Sequence, residues 1–255
     1  MAKSVIEFPL PALELLEEGL KQLGFEENDR NYGAVGLVPS RAALVVKLSA
    51  YIKELELFNA VFDLVGASTS SEHGKCDLVV RHILDSLSPW KVLISVLTEI
   101  EIKQGVNSKS ESQIEGVSRF SVADVGSGAG FPGIPLAIIF PDISFSLIER
   151  MSKRCAFLEN CRAMLGLKNV TVINSEVEKA PQNTFDLVAF RAFRPLDAIM
   201  LKTLLNVLND GGILAAWKAK KEKIDIEMKA LGVHWKLFPL TVPFLDEEER
   251  NLVIL

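Results

Sequence analysis

The chain has 255 residues, 49% of them apolar, and a formal net charge of -5 at pH 7. That length and apolar content are enough for a sizeable core and exclude a disordered chain, and three cysteines are too few for a disulfide framework. Net negative charge speaks against indiscriminate nucleic-acid binding, yet basic residues cluster in the C-terminal half, in "ERMSKR" at 149–154, "FRAFR" at 190–194 and "WKAKKEK" at 217–223.

Apolar residues recur at helical spacing over 10–23, over 40–64 and over 76–87; Leu44, Leu48, Tyr51, Ile52 and Leu55 form one such face. Residues 1–100 are therefore expected to be an N-terminal helical region. The stretch 101–118 is polar, serine-rich and weakly patterned, which predicts a linker or an exposed insertion. From 119 onward short apolar runs alternate with amphipathic stretches. Strands are predicted at 121–125, 144–148, 170–173, 185–190 and 212–217, and helices at 132–140, 153–165, 195–208 and 224–231. "DGG" at 210–212 reads as a turn, and 235–240 with 252–255 as a closing antiparallel pair. This alternation predicts an α/β fold with a doubly wound, mostly parallel sheet over 119–255.

No apolar run is long enough to cross a bilayer. The first residues, "MAKSVIEFPLPALELLEEGL", lack the order of a signal peptide. Cys155 and Cys161 lie six apart, on different faces of a helix, so a paired metal site is not expected. The expectation is a reduced, cytoplasmic monomer with no metal and no membrane partner.

The most informative stretch is "VADVGSGAGFPGIPLAIIF" at 122–140. Asp124, Gly126, Gly128 and Gly130 end a predicted strand and precede a predicted helix, the context in which a glycine loop approaches a ligand. No Gly-Lys-Ser/Thr follows, so a Walker loop is excluded. Phe131-Pro132 stands where a pyrophosphate would need free N–H groups, which disfavours a dinucleotide and favours a ligand without phosphate. Glu149, at the end of the next strand, stands where an acid holds ribose hydroxyls. Strand-end Asp, G-x-G-x-G turn and ribose acid together describe a site for S-adenosylmethionine. A nicotinamide site and a glycine turn that binds nothing are the competing readings.

Six stretches resemble one family, the bacterial 16S rRNA guanine-N7 methyltransferases once called glucose-inhibited division protein B. They are "RHILDSL" at 81–87, "DVGSGAGFPGIPLAI" at 124–138, "KRCAFL" at 153–158, "VINSEVEK" at 172–179, "FDLVAFRAFRPL" at 185–196 and "GGILAAWKAK" at 211–220. The resemblance implies a Rossmann-like class I methyltransferase with an N-terminal helical extension. It implies cofactor contacts at Gly126, Phe131, Val177, Glu178 and Arg191, and 16S ribosomal RNA or the small subunit as partner. The family's "W-N-x-x-F-N-L-T" signature survives only as Phe58-Asn59 and Phe62-Asp63-Leu64-Val65, and Ala219 replaces a common glycine.

Guanine N7 carries a lone pair and no proton, so its methylation needs no general base. Three histidines and no Ser/His/Asp or Cys/His constellation are compatible with that. Arg191 and Arg194 follow a strand at the edge where open α/β sheets bind ligands. Arg191 is expected to orient the cofactor carboxylate or guanine O6, and Arg194 an RNA phosphate; for both the bland alternative is an ion pair capping the strand. Lys218 is a further catalytic-side candidate. Lys153, Arg154, Lys220 and Lys221 are candidate RNA contacts, or else solvated helix faces. His82 is expected to be a hydrogen-bonded core histidine. Methylation of a small molecule or protein by the same fold, and a non-catalytic ribosome-associated binder, are the alternative functions.

Overall fold

The computed structural model describes residues 8–62, 64–66, 69, 71–103 and 118–255. The expected linker therefore lies outside the described residues over 104–117, while its first three residues finish a helix. Asp63 of the partial family signature is also outside them.

The N-terminal region is helical, as its periodicity predicts. α1 (Ala12–Gln22) buries Leu15, Leu16 and Leu20, and a small antiparallel pair, β1 (Arg30–Asn31) and β2 (Leu37–Val38), follows. The long α2 (Arg41–Phe62) buries Leu44, Leu48, Tyr51 and Leu55 completely. α3 (Glu72–Leu78) opens with Ser71 accepting the Gly74 N–H, and runs through a π-helical segment (Val79–Leu84) into α4 (Asp85–Leu87). α5 (Trp90–Lys103) is a further helix that the sequence reading did not resolve; its Trp90 is buried, stacks on Phe25 at 4.6 Å and donates to the Leu23 carbonyl.

The remainder is β3 (Ser121–Val125), α6 (Gly133–Ile139), β4 (Ser144–Glu149), α7 (Ser152–Met164), β5 (Val170–Asn174), β6 (Phe185–Arg191), α8 (Ala198–Val207), β7 (Leu208–Lys218), α9 (Lys221–Leu231), β8 (Lys236–Leu240) and β9 (Arg250–Ile254). Seven strands form one sheet in the order β5-β4-β3-β6-β7-β9-β8. The first five are parallel, and β9 pairs antiparallel with both β7 and β8. The chain runs outward from β3 through β4 to β5, then returns to the other side of β3 to begin β6. That reversal opens a crevice at the C-terminal ends of β3 and β6, the place where doubly wound sheets bind ligands.

The expected closing pair is present. The expected turn at 210–212 is not: β7 begins at Leu208, and the register shifts between Phe185↔Leu208 and Leu187↔Ile213. The extra residues are absorbed as an irregularity within the strand, with Gly211 at φ 79°, because a bulge keeps both ends of β7 paired where a turn would release one.

The strands are apolar on both faces, as parallel strands covered by helices must be. On one face Val122, Leu187 and Ala189 join a core that runs from Leu15 in α1 to Phe157 in α7, so the N-terminal helices share their interior with the sheet. On the other, Ala123, Val125, Val188 and Phe190 meet α8 and α9.

Candidate functional site at the end of the sheet

The glycine loop follows β3. Gly126, Gly128 and Gly130 all adopt positive φ, and two of them are required for a second reason. A Cβ on Gly126 would lie 2.2 Å from the Phe193 ring, and one on Gly130 would meet Ile134 at 2.6 Å and the Tyr51 hydroxyl at 2.9 Å. The loop also uses up its own donors. Gly126 and Ser127 N–H groups donate to the Ile148 carbonyl, Gly130 and Phe131 to Ser127, and Gly128 to Glu149 Oε2 at 3.0 Å. A phosphate would need these groups free, so the loop is not a phosphate cradle, as Phe131 suggested.

Asp124 is fully buried. Its Oδ2 accepts the Gly133 N–H at 3.0 Å and so caps α6, while Oδ1 has no hydrogen-bond partner among the described residues. Burial raises its carboxyl to about 7. The Phe131–Pro132 peptide is cis and Pro132 caps α6, one position before the first helical turn where the sequence placed it. Glu149, expected to hold ribose hydroxyls, ends β4 and reaches the loop, and both its oxygens already accept from backbone N–H groups, of Gly128 and, at 2.9 Å, of Met151. A carboxylate has about four lone-pair positions, so capacity for hydroxyls remains. Val177 and Glu178 lie in a 3-10 turn after β5, Val177 buried and Glu178 paired with Arg194 at 2.7 Å. Lys153 and Arg154 open α7; neither has an ion-pair partner among the described residues, and Arg154 reaches within about 4 Å of a Cβ position on Gly128.

Arg191 ends β6, and the structure places it in the ion pair weighed as its bland alternative. Its Nη1 donates to Asp85 Oδ2 at 2.9 Å and to the Arg81 carbonyl at 3.1 Å, and its Nη2 lies 2.8 Å from His82 Nδ1. The guanidinium stacks over Phe131 at 5.1 Å. Three of the five guanidinium protons are thus turned toward the N-terminal helices, leaving two for a ligand. Phe131, itself buried, packs against Tyr51 and His82, and the Tyr51 hydroxyl donates to the Ala129 carbonyl. Tyr51 is therefore core, as its helical spacing predicted. Ala192 takes φ 48°, which turns Phe193 back over Gly126 and lets Arg194 reach Glu178.

Beyond Arg191 a cavity of about 990 Å³ opens between the ends of β6, β7 and β9 and α9. Its walls carry Arg81, Arg191, Arg194, Lys218, Lys220, Lys223 and Arg250 against two acids, Asp85 and Glu227. A locally basic basin thus exists on an acidic chain. Its charges are largely paired: Lys218 with Glu227 at 2.6 Å, and Arg250 with Asp85 at 3.3 Å. Lys221 is turned away, paired with Asp225 at 2.6 Å, which corresponds to the solvated-face reading. The sequence reading missed Asp85, Trp217 and Arg250 here. Asp85 joins two arginines 106 and 165 residues away in sequence, and no local pattern announces such a pair. Arg250 follows four consecutive acids at 246–249, where nothing in the sequence singles it out. No helix among the described residues is long and apolar enough to cross a membrane, and none of their His, Cys, Asp and Glu side chains cluster as a metal site.

The family model described as rRNA small subunit methyltransferase G matches residues 45–253. A protein of Treponema denticola named ribosomal RNA small subunit methyltransferase G is 43% identical over 252 residues, covering 94% of this chain and 93% of its own length. Proteins of the same name from Treponema pallidum and Polynucleobacter asymbioticus are 36% and 32% identical, covering 87% and 94% of this chain and 90% and 94% of their own lengths. Among solved structures, a SAM-dependent methyltransferase from Aquifex aeolicus aligns at TM-score 0.47 with 22% identity, over 67% of this chain and 90% of that one. With a match over most of its length and relatives alike end to end, the chain belongs to the rRNA small subunit methyltransferase G family.

Proposed function

We propose that the protein is a cytoplasmic, monomeric S-adenosylmethionine-dependent methyltransferase that modifies N7 of a guanine in small-subunit ribosomal RNA. The observation that carries this reading is a phosphate-rejecting glycine loop at the sheet's switch point, joined through Arg191 to a basic cavity beside it at the ends of β6, β7 and β9. Residues 119–255 supply the cofactor crevice and most of the basin, and residues 1–100 supply the wall that holds Arg191.

The residues fit the cofactor. Glu149 has capacity for ribose hydroxyls, Val177 and Glu178 border the crevice beyond β5, and Gly128 lets a ligand lie against bare backbone while Gly126 and Gly130 shape the turn beneath Phe193 and against Ile134 and Tyr51. Asp124 offers an orphaned buried oxygen beneath the loop. Arg191 has two donors left for a carboxylate, and a planar guanidinium suits that group. The bound cofactor supplies an activated methyl group on a sulfonium.

The chain then has to place guanine N7 in line with that methyl and keep water out. It needs no base: N7 has no proton to lose, and most of the basin's cations are donors held in place by acids. Lys218 is a substrate-side contact that gives up Glu227 for an RNA phosphate. Arg194, Lys153, Arg154 and Lys220 are exposed or half-buried cations around the rim that supply further phosphate contacts, with Lys221 a weaker candidate because of Asp225.

The test supplies labelled S-adenosylmethionine and the protein to ribosomal RNA and small subunits from cells lacking it, then maps the labelled nucleotide. Label at one guanine N7 is expected. Label only on a protein or small molecule, or none at all, would overturn the substrate assignment, and cofactor binding measured separately would show whether that half survives.

A further inference from the structure

The proposed reaction, on which this inference rests, poses a recognition problem. Arginine ordinarily reads guanine by donating to O6 and N7 together, and a donor on N7 would block the lone pair that must attack. Selecting guanine while leaving N7 free calls for a single donor aimed at O6 alone.

His82 meets that requirement. It lies on the cavity wall, in the π-helical segment of the N-terminal region. Arginine only donates, so the 2.8 Å contact from Arg191 Nη2 makes His82 Nδ1 an acceptor. The ring proton is consequently on Nε2, and Nε2 has no hydrogen-bond partner among the described residues. Phe131 fixes the ring plane, its centroid 5.1 Å away at 31°. Burial and the neighbouring Arg191, Arg81 and Arg250 lower the imidazole to about 3, so the ring is a neutral donor near neutral pH.

We infer that His82 Nε2–H donates to O6 of the target guanine and is the residue that distinguishes guanine from adenine. Adenine presents an amino group at that position, which would oppose donor to donor and leave both unsatisfied. A neutral donor also adds no cation beside the sulfonium. The orienting role of Arg191 is then indirect on this side: it sets the tautomer of His82 while its remaining donors face the cofactor.

The test uses small-subunit rRNA assembled by ligation with guanine, or with 2-aminopurine, which lacks O6 but keeps N7, at the mapped position. For the unaltered protein, removing O6 should lower kcat/KM about tenfold. In His82→Phe the two substrates should become nearly equal when compared at saturating cofactor, since Arg191 also loses a partner there, and His82→Gln, which keeps an acceptor and a donor, should restore most of the preference. Equal methylation of both substrates by the unaltered protein would overturn the inference without recourse to any variant. So would a preference that persists in His82→Phe at saturating cofactor. If the unaltered protein methylates no guanine, the proposed function has failed and this inference falls with it; a methylated guanine without O6 dependence removes the inference alone.

Discussion

Around the glycine loop, six backbone N–H groups between Asp124 and Met151 donate to the Ser127 and Ile148 carbonyls and the Glu149 carboxylate. In the basin beyond Arg191, the corresponding work is done by side-chain charges drawn from Arg81 to Arg250. The first region is held by short-range backbone geometry and is nearly free of mobile charge. The second is a set of cations most of which are restrained by an acid, with Asp85 shared by Arg191 and Arg250. The difference suits two ligands: a compact cofactor needs a fixed shape, whereas a polyanion needs charges that can exchange partners. Buried and exposed pairs in these regions should consequently respond very differently to truncation.

The largest effect is expected from Asp85→Ala. The aspartate is 3% exposed and serves both Arg191 and Arg250, so its loss leaves buried charge uncompensated. A cost of about 3 kcal/mol is expected, seen in calorimetry as a Tm lower by roughly 10 °C, with weaker cofactor binding because Arg191 loses its anchor. A change below about 1 kcal/mol would mean that the pair behaves like a surface ion pair, and the contrast between the two regions would be lost.

Gly126→Ala comes next. The left-handed backbone costs an alanine about 1–2 kcal/mol, and its Cβ must also displace Phe193. Titration calorimetry should show cofactor affinity falling together with stability. Retention of both would show that the loop is less constrained than its φ angles imply.

Acid titration separates the regions further. His82 is lowered to about 3, from a reference near 6.5, chiefly by burial. Between those values the unfolded chain holds the extra proton, so stability falls as pH drops. Asp124 is raised to about 7, from a reference near 3.8, also by burial. There the folded chain holds the extra proton, and stability falls as pH rises toward 7. The two slopes, each up to roughly 1.4 kcal/mol per pH unit, oppose one another between about pH 4 and 6.5. Denaturant titrations of His82→Gln should therefore lose stability as pH rises through this window, and those of Asp124→Asn as pH falls. Parallel profiles for both variants would refute the opposition.

The smallest effect is expected from Glu178→Ala. Its pair with Arg194 is well exposed, so a stability loss of at most about 0.5 kcal/mol is expected, diminishing with salt. Cofactor Kd is the informative readout, since a contact at Glu178 would weaken binding without a matching change in Tm.

Much of the candidate cofactor region is legible from residue order. Asp124, the three glycines, Phe131 and Glu149 stand in a strand–loop–helix context whose geometry is dictated by backbone sterics within a few residues. The same holds for Tyr51, placed in the core by helical spacing. Sequence alone treats His82 as a core residue and Arg191 as a ligand contact or a strand-capping ion pair, and it does not show that the two side chains meet. Nor could it see the bulge in β7, where glycines that usually signal a turn are kept inside a strand by pairing at both ends.

What the sequence determined by itself was local: an alternating α/β pattern, a loop that refuses phosphate, and basic clusters along the C-terminal half. What only the tertiary structure decided was which charges meet. The strand order places β9 beside β7 and brings the N-terminal helices onto the same sheet edge, so that Asp85, His82, Arg191 and Arg250 converge on one basin. Pairing across such distances follows from the order of the strands and the layering of the helices, and burial then fixes the protonation of groups that the sequence alone would leave at their ordinary values.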